Sequence, residues 1–313
     1  MDSTYEGLKN TAKKAIDLKG LFESWYEAQK MCKEEKLIAN LNKTNISLES
    51  FCIDGEIIID EWNSKSKDSE NQPKVLYILR EENGSHSDEY DEDDNRIIGH
   101  FYKNKDDFWI KEQLCGTKTA KYEKLPPLIK KLVNVQYILE QMKTVDDSEN
   151  YFRFDDESCK VNIGHMAFMN LNKLGGDSSV HWPTFKAYIS CFKELIKREI
   201  EILNPDIIVC CGTYGTLKLE VYEDKDMQER ETYKIKDKNC IIYNLPHPAA
   251  RGIKIVEYGK KEILNPKNDI DVVLKEKIKE KLKAIKKRID NNDEKFSIDV
   301  LRNLLEDLEG YGE

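Results

Sequence analysis

The chain has 313 residues, with 50 Lys and Arg against 59 Asp and Glu and a formal net charge of −9. That acidic balance excludes a protein wrapped over its whole surface by nucleic acid, while leaving room for a local basic groove, because phosphate contacts depend on where Lys and Arg cluster. The length suits one large or two modest domains with a sizeable core.

No apolar run is long enough to cross a membrane, and "MDSTYEGLKNTAKKAIDLKG" lacks the apolar stretch of a signal peptide. The expectation is an intracellular, cytoplasmic protein with no membrane partner. None of the eight cysteines falls in a C-x-x-C spacing, so they read as reduced and mostly buried, without zinc or iron–sulfur ligation.

Residues 1–72 read as an N-terminal helical extension. Leu18, Leu21, Phe22, Trp25 and Ala28 form an apolar stripe at helical spacing, which predicts a core-packing helix. A polar connection, 63–73, ends at Pro73. "KVLYIL" follows, an apolar run typical of a strand buried on both faces, and it leads directly into "REENGS". The stretch 84–160 exceeds what a minimal fold needs and reads as an insertion carrying a lid or specificity element. Within it, "SDEYDEDDN" (87–95) is a solvated loop or a flap beside a site. Phe101, Phe108 and Trp109 are either core or stacking residues.

"GHMAFMNLNKLGG" (164–176) is a second strand ending in a polar loop. Phe185, Tyr188, Ile189, Phe192, Ile196 and Ile200 then keep helical spacing, before a third strand in "PDIIVCCGTYG" and a fourth in "CIIYNLP". His165 and His181, which flank the second strand and the helix, read as structural. From 257 to 313 a C-terminal helical extension is expected, with "KEKIKEKLKAIKKR" (275–288) as its basic part and "SIDVLRNLLEDLEG" as a last amphipathic helix. Buried strands alternating with helices predict an α/β fold: a three-layer α/β/α sandwich on a mainly parallel central sheet, spanning 73–256.

In such sheets ligands bind outside the carboxyl ends of the strands. Those ends carry the polar residues here: Arg80, Glu81, Glu82 and Asn83; Asn170, Asn172 and Lys173; Thr213 and Tyr214; His247 and Arg251. The last group sits in "LPHPAARG", where Pro246 and Pro248 fix φ on both sides of His247. Such stiffness serves an ordinary turn poorly and a placed imidazole well. The sequence has no Gly-rich phosphate loop with a Lys and no nucleophile elbow. A carboxylate and an imidazole without a metal suit hydrolysis through a cation-like transition state, and an Asn offers donor and acceptor to a base edge.

The order of these segments resembles the uracil-DNA glycosylase superfamily. "LYILREEN" stands at the family's first motif, "MAFMNLNK" at its middle strand and "HPAAR" at its last motif, a likeness spanning about 73–256. The resemblance implies a cofactor-free, metal-free enzyme that flips a uracil or modified pyrimidine out of DNA and hydrolyses the base–sugar bond. It puts Glu81 at the catalytic carboxylate and His247 at the residue supporting the departing base. Asn170 falls at the base-reading amide, with Asn83 and Asn172 as further base-binding candidates. Arg251 falls near the residue that wedges into the duplex, and Arg80 is a second DNA contact.

The chain departs from the family at Leu79, where a Gly is usual, at Glu82, where a Pro is usual, and in using Glu at the catalytic position. These changes alter water placement and pocket size. An enlarged pocket for a bulky modified base is a subsidiary expectation, suited to bacterial defence against phages with modified DNA. Two other readings stand beside the enzyme: a non-catalytic module that binds damaged or modified bases, and a hydrolase of free nucleosides.

Overall fold

The computed structural model describes residues 4–42, 46–64, 73–83, 110–111, 114, 125–141, 161, 163–176, 180–229, 232–250, 252–255, 258–259 and 263. The acidic run, Phe101, Phe108, Trp109, Arg251 and the helices expected after 271 lie outside them. For Glu81, Glu82 and Asn83 the backbone is described and the side chains are not.

Four helices open the fold: α1 (Tyr5–Lys13), α2 (Leu18–Lys30), α3 (Glu35–Leu41) and α4 (Ile59–Trp62). Thr4 and Asp17 cap the first two, accepting from the N–H groups of Gly7 at 3.1 Å and Gly20 at 2.8 Å. The α2 stripe is buried as its spacing predicts, with Trp25 against Phe51 and Phe192.

The strands are β1 (Gly55–Glu56), β2 (Val75–Asn83), β3 (Met166–Gly176), β4 (Ile207–Cys211), β5 (Thr232–Ile235) and β6 (Lys238–Leu245). They form one mixed six-stranded sheet in the order β1-β3-β2-β4-β6-β5. The four inner strands are parallel, and the short strands β1 and β5 are antiparallel edges. The first core strand runs further than its apolar residues suggest, through Glu81 to Asn83, because β3 continues beside it to Gly176.

Alternation along the strands sends side chains to two covered faces. Leu76, Ile78, Ala167, Met169, Ile208 and Ile242 join α1, α2 and α6 (Trp182–Leu203) in one core. The helix α6 ends at Asn204, in the left-handed conformation, and Pro205 follows. On the other face the Tyr77 hydroxyl donates to Gln136 of α5 (Pro127–Gln141) at 3.0 Å, and Tyr77 stacks on Phe168. A short helix, α7 (Tyr214–Thr216), and a π-helical turn follow β4.

The N-terminal segment completes this sheet. Residues 52–57 run along the outer edge of β3, where the Ile57 N–H bonds the Met166 carbonyl and the Cys52 N–H bonds that of Lys173. Between them the Asp54 carboxylate accepts the Asn170 N–H at 2.5 Å. Its other oxygen pairs with Lys173 at 2.6 Å, and Lys173 also bonds Glu199 at 2.9 Å, all three side chains being buried. Burial, and then the neighbouring Asp54 carboxylate, raise Glu199 well above the ordinary carboxyl range, which favours its protonated form. Burial alone would lower Lys173, but Asp54 and then Glu199 outweigh it and hold its charge. The cluster is thereby near neutral in the buried core. Among the described residues no helix is long and apolar enough to cross a membrane.

Candidate functional site

The parallel strands lie in the order β3-β2-β4-β6, so the chain leaves β2 towards one side and β4 towards the other. Such a reversal opens a crevice at the carboxyl ends of the two strands. The registers show where it begins. Pairing of β2 with β4 stops at Ile78–Cys210, whereas β2 and β3 stay paired through Glu81–Asn172. The Thr213 hydroxyl closes the base of the crevice by donating to the Ile78 carbonyl at 2.9 Å.

On the β3 side stands Asn170, opposite Leu79 and one rung beyond the Tyr77–Phe168 stack. Its side chain is buried, and its Oδ1 has no hydrogen-bond partner among the described residues. An orphaned acceptor of this kind costs about 1–3 kcal/mol, which a ligand N–H would recover. Asn172, the alternative reader, differs: its Oδ1 accepts the Leu174 N–H at 3.1 Å in a local turn. Glu81 lies beside Asn172 in register, and Asn83 beside Gly176 past an irregularity in the ladder. Arg80 points to the α6 face, its guanidinium 5.8 Å from the Trp182 ring centre and its buried Nε without a partner among the described residues.

Across the crevice, the residues after β6 are held at nearly every carbonyl. The Gly212 N–H bonds the Leu245 carbonyl at 2.7 Å, and the Tyr258 hydroxyl bonds that of Pro246 at 2.6 Å. The Ala250 N–H bonds the His247 carbonyl at 2.8 Å. From α5, Lys131 donates to the Pro248 carbonyl at 2.7 Å and the Ala250 carbonyl at 3.3 Å. One turn along, Asn134 donates to the carbonyls of Ile255 at 3.1 Å and Tyr258 at 3.2 Å. Gly212 has a φ of +72°, and a Cβ there would stand 3.3 Å from the Cβ and N of His247. Only glycine meets both the backbone conformation and the space.

The imidazole is fixed in tautomer as well as place. The Ala249 N–H donates to Nδ1 at 3.2 Å, which leaves Nε2 to carry the proton of the neutral ring. Burial, then the charges of Arg80 and Lys131, lower the His247 pKa to about 4. At neutral pH the site therefore offers a neutral N–H donor. The backbones of Asn170 and His247 stand about three strand spacings apart, on the order of 14 Å. A span of that order has the size of two side chains with one six-membered ring between them.

His165 is buried at the start of β3, and His181 bonds Thr184 at 2.7 Å at the start of α6. Sequence reasoning missed Lys131, Asn134, Tyr258 and Asp54. The signal for the α5 pair was present: Lys131 and Asn134 interrupt an apolar helix at a spacing of three, which puts two polar heads on one buried face. A groove of about 410 Å³ lies at the opposite edge of the sheet, where Asn204, Pro205 and Lys236 to Lys238 meet. It is remote from these groups, and the chemistry argues for the carboxyl edge. No family model matches the chain, and no curated protein is significantly similar to it.

Proposed function

We propose that this protein is a monofunctional DNA glycosylase with a uracil-DNA glycosylase-type α/β/α sandwich, excising uracil or a modified pyrimidine and leaving an abasic site. The observation that carries the reading is the pinned His247 loop, with its neutral Nε2–H donor, across a crevice from the orphaned acceptor of Asn170. A pyrimidine presents carbonyl oxygens and a ring or exocyclic N–H on one edge, which suits the two groups.

In the reaction the N-glycosidic bond breaks and its electron pair leaves with the base. The His247 N–H stabilises negative charge growing on a base oxygen, as preorganised donors do. Glu81, at the register position beside Asn172, has the role of stabilising the cationic sugar and orienting the water that adds to it. Arg80 and Arg251 contact the strand, and no cofactor or metal takes part. Defence against modified phage DNA is the biological setting that this chemistry suits.

The test is a panel of oligonucleotides and phage DNAs carrying different modified pyrimidines, with free nucleosides alongside, assayed for base release and alkali-labile sites. Release from at least one DNA, lost on order of a hundredfold in Glu81→Gln and His247→Ala, is the expected result. Binding without release identifies a recognition module. Release from free nucleosides at equal rate identifies a nucleoside hydrolase.

A further inference from the structure

We propose that Lys131 is the positioning residue of this site: by gripping the Pro248 and Ala250 carbonyls from α5, it fixes the orientation of the His247 imidazole. The chemical purpose rests on the glycosylase reading; the geometry does not.

Two carbonyls two residues apart in a turn converge on one point. A single ammonium, a compact charge with three donors, meets both. The Lys131 side chain is buried, and its ammonium also lies 5.4 Å from the ring centre of Tyr258, whose hydroxyl holds Pro246. Thus the two prolines that flank His247 are both restrained, one by the lysine and one by the tyrosine beneath it.

The same ammonium places a positive charge near the ring. Of the described elements packed against the loop, β2 brings Arg80 and α5 brings Lys131. The end of β4 brings the uncharged Gly212–Thr213 turn, and the segment after the loop brings the Tyr258 phenol. After burial, Arg80 and then Lys131 oppose protonation of the imidazole. Lys131 therefore acts on His247 in two ways, by place and by charge. Asn134 grips the following segment from the same helix without a charge, so it supplies the internal control.

The experiment follows His247 by NMR in the whole protein carrying Lys131→Met, Lys131→Arg or Asn134→Leu. Its titration midpoint and ring tautomer are read directly, without substrate. Wild type should titrate at about pH 4, and Lys131→Met should move the midpoint up by a fraction of the full displacement, because burial and Arg80 still hold it below the ordinary value, and should weaken the preference for the Nε2–H form. Lys131→Arg, which keeps the charge, should stay near wild type, and Asn134→Leu should leave the midpoint unmoved. If the methionine is not tolerated by the fold, Lys131→Gln tests the same loss of charge. In single-turnover base release at pH 7, Lys131→Met should lose roughly ten- to a hundredfold, as expected for a displaced catalytic group. An unmoved midpoint in Lys131→Met, or an equal rise in Asn134→Leu, overturns the proposal. A protein that releases no base from any substrate sinks the glycosylase reading, while the NMR result still decides the role of Lys131.

Discussion

Gly212 offers a test that separates backbone strain from contact with the His247 loop. Its φ of +72° places any other residue in the left-handed region, and a Cβ would lie 3.3 Å from both the Cβ and the N of His247. Gly252 has a similar φ of +83° with nothing within 4 Å of a Cβ, and Gly215 has open space and no positive φ. Replacing each with Ala therefore gives strain plus contact, strain alone, and neither. Left-handed strain costs about 1–2 kcal/mol for a residue with a Cβ. A contact at this distance requires the neighbour to yield by a few tenths of an ångström. The neighbour here cannot yield freely, because its loop is held at Leu245, Pro246, Pro248 and Ala250. Overpacking against a fixed wall adds about 1–3 kcal/mol.

Thermal unfolding and single-turnover base release are the two assays. At about 2–4 °C per kcal/mol for a domain of this size, Gly252→Ala should lower Tm by a few degrees and leave the rate alone. Gly212→Ala should lower Tm further and slow base release several-fold, because the displaced group is His247 itself. Gly215→Ala should match or slightly exceed wild-type stability, since alanine favours the helical backbone. Gly212→Ala no worse than Gly252→Ala in both assays would falsify the close packing of β4 against the His247 loop.

Acid should weaken the fold through His247. Between about pH 6.5 and pH 4 the unfolded chain binds a proton that the folded imidazole refuses, so stability falls as pH drops through that window and is flat above it. Denaturant midpoints at pH 7.5 and 5 should show this decline, and His247→Asn should reduce it. In the core, Lys173→Met leaves the Asp54 and Glu199 carboxyls facing one another without a cation, at a cost of roughly 3–5 kcal/mol. Combining it with Asp54→Asn and Glu199→Gln should recover part of that loss in urea unfolding. Asn170→Asp turns the amide into an acceptor only, so base release should shift between substrates that differ in the donors of their pairing edge. Unchanged selectivity would move the reader's role to another residue.

What was legible in the sequence were the features that burial writes locally. The four parallel strands announce themselves as apolar runs because both faces are covered, and the stripes of α2 and α6 keep the period of a helix packed on one side. The polar residues at the strand ends were legible for the same reason, since apolar runs stop where the core stops. Strand order was not, because nothing in "KVLYIL" says that β3 and β4 will flank it. Nor was the difference between Asn170 and Asn172, two residues apart on one strand, of which only Asn172 takes a hydrogen bond from the Leu174 N–H. The supports of the His247 loop were hidden more deeply. Lys131 and Tyr258 come from segments 116 residues before His247 and 11 after it, and their value depends on a turn whose carbonyls converge.

The two halves of the site are held by separate parts of the chain, and this shapes how they respond to change. Asp54 secures Asn170 through its backbone N–H, and does so only while Lys173, itself hydrogen-bonded to Glu199, balances its charge on the α6 face. Lys131 secures His247 from α5, on the opposite face. Among the described residues the supports share no hydrogen-bond partner, and they act through different strands. Stability losses from such independent sites add to within about 0.5 kcal/mol. Asp54→Ala and Lys131→Met should therefore sum in urea unfolding of the double variant. Rates obey another rule if the proposed base release takes place here, because both supports would then serve one transition state in which the base is gripped from its two sides. If each positions a different contact, the fold-losses in base release multiply. If the loop and β3 move as one unit, the double variant is no slower than the worse single one, and the site is one rigid body instead of two independently held walls.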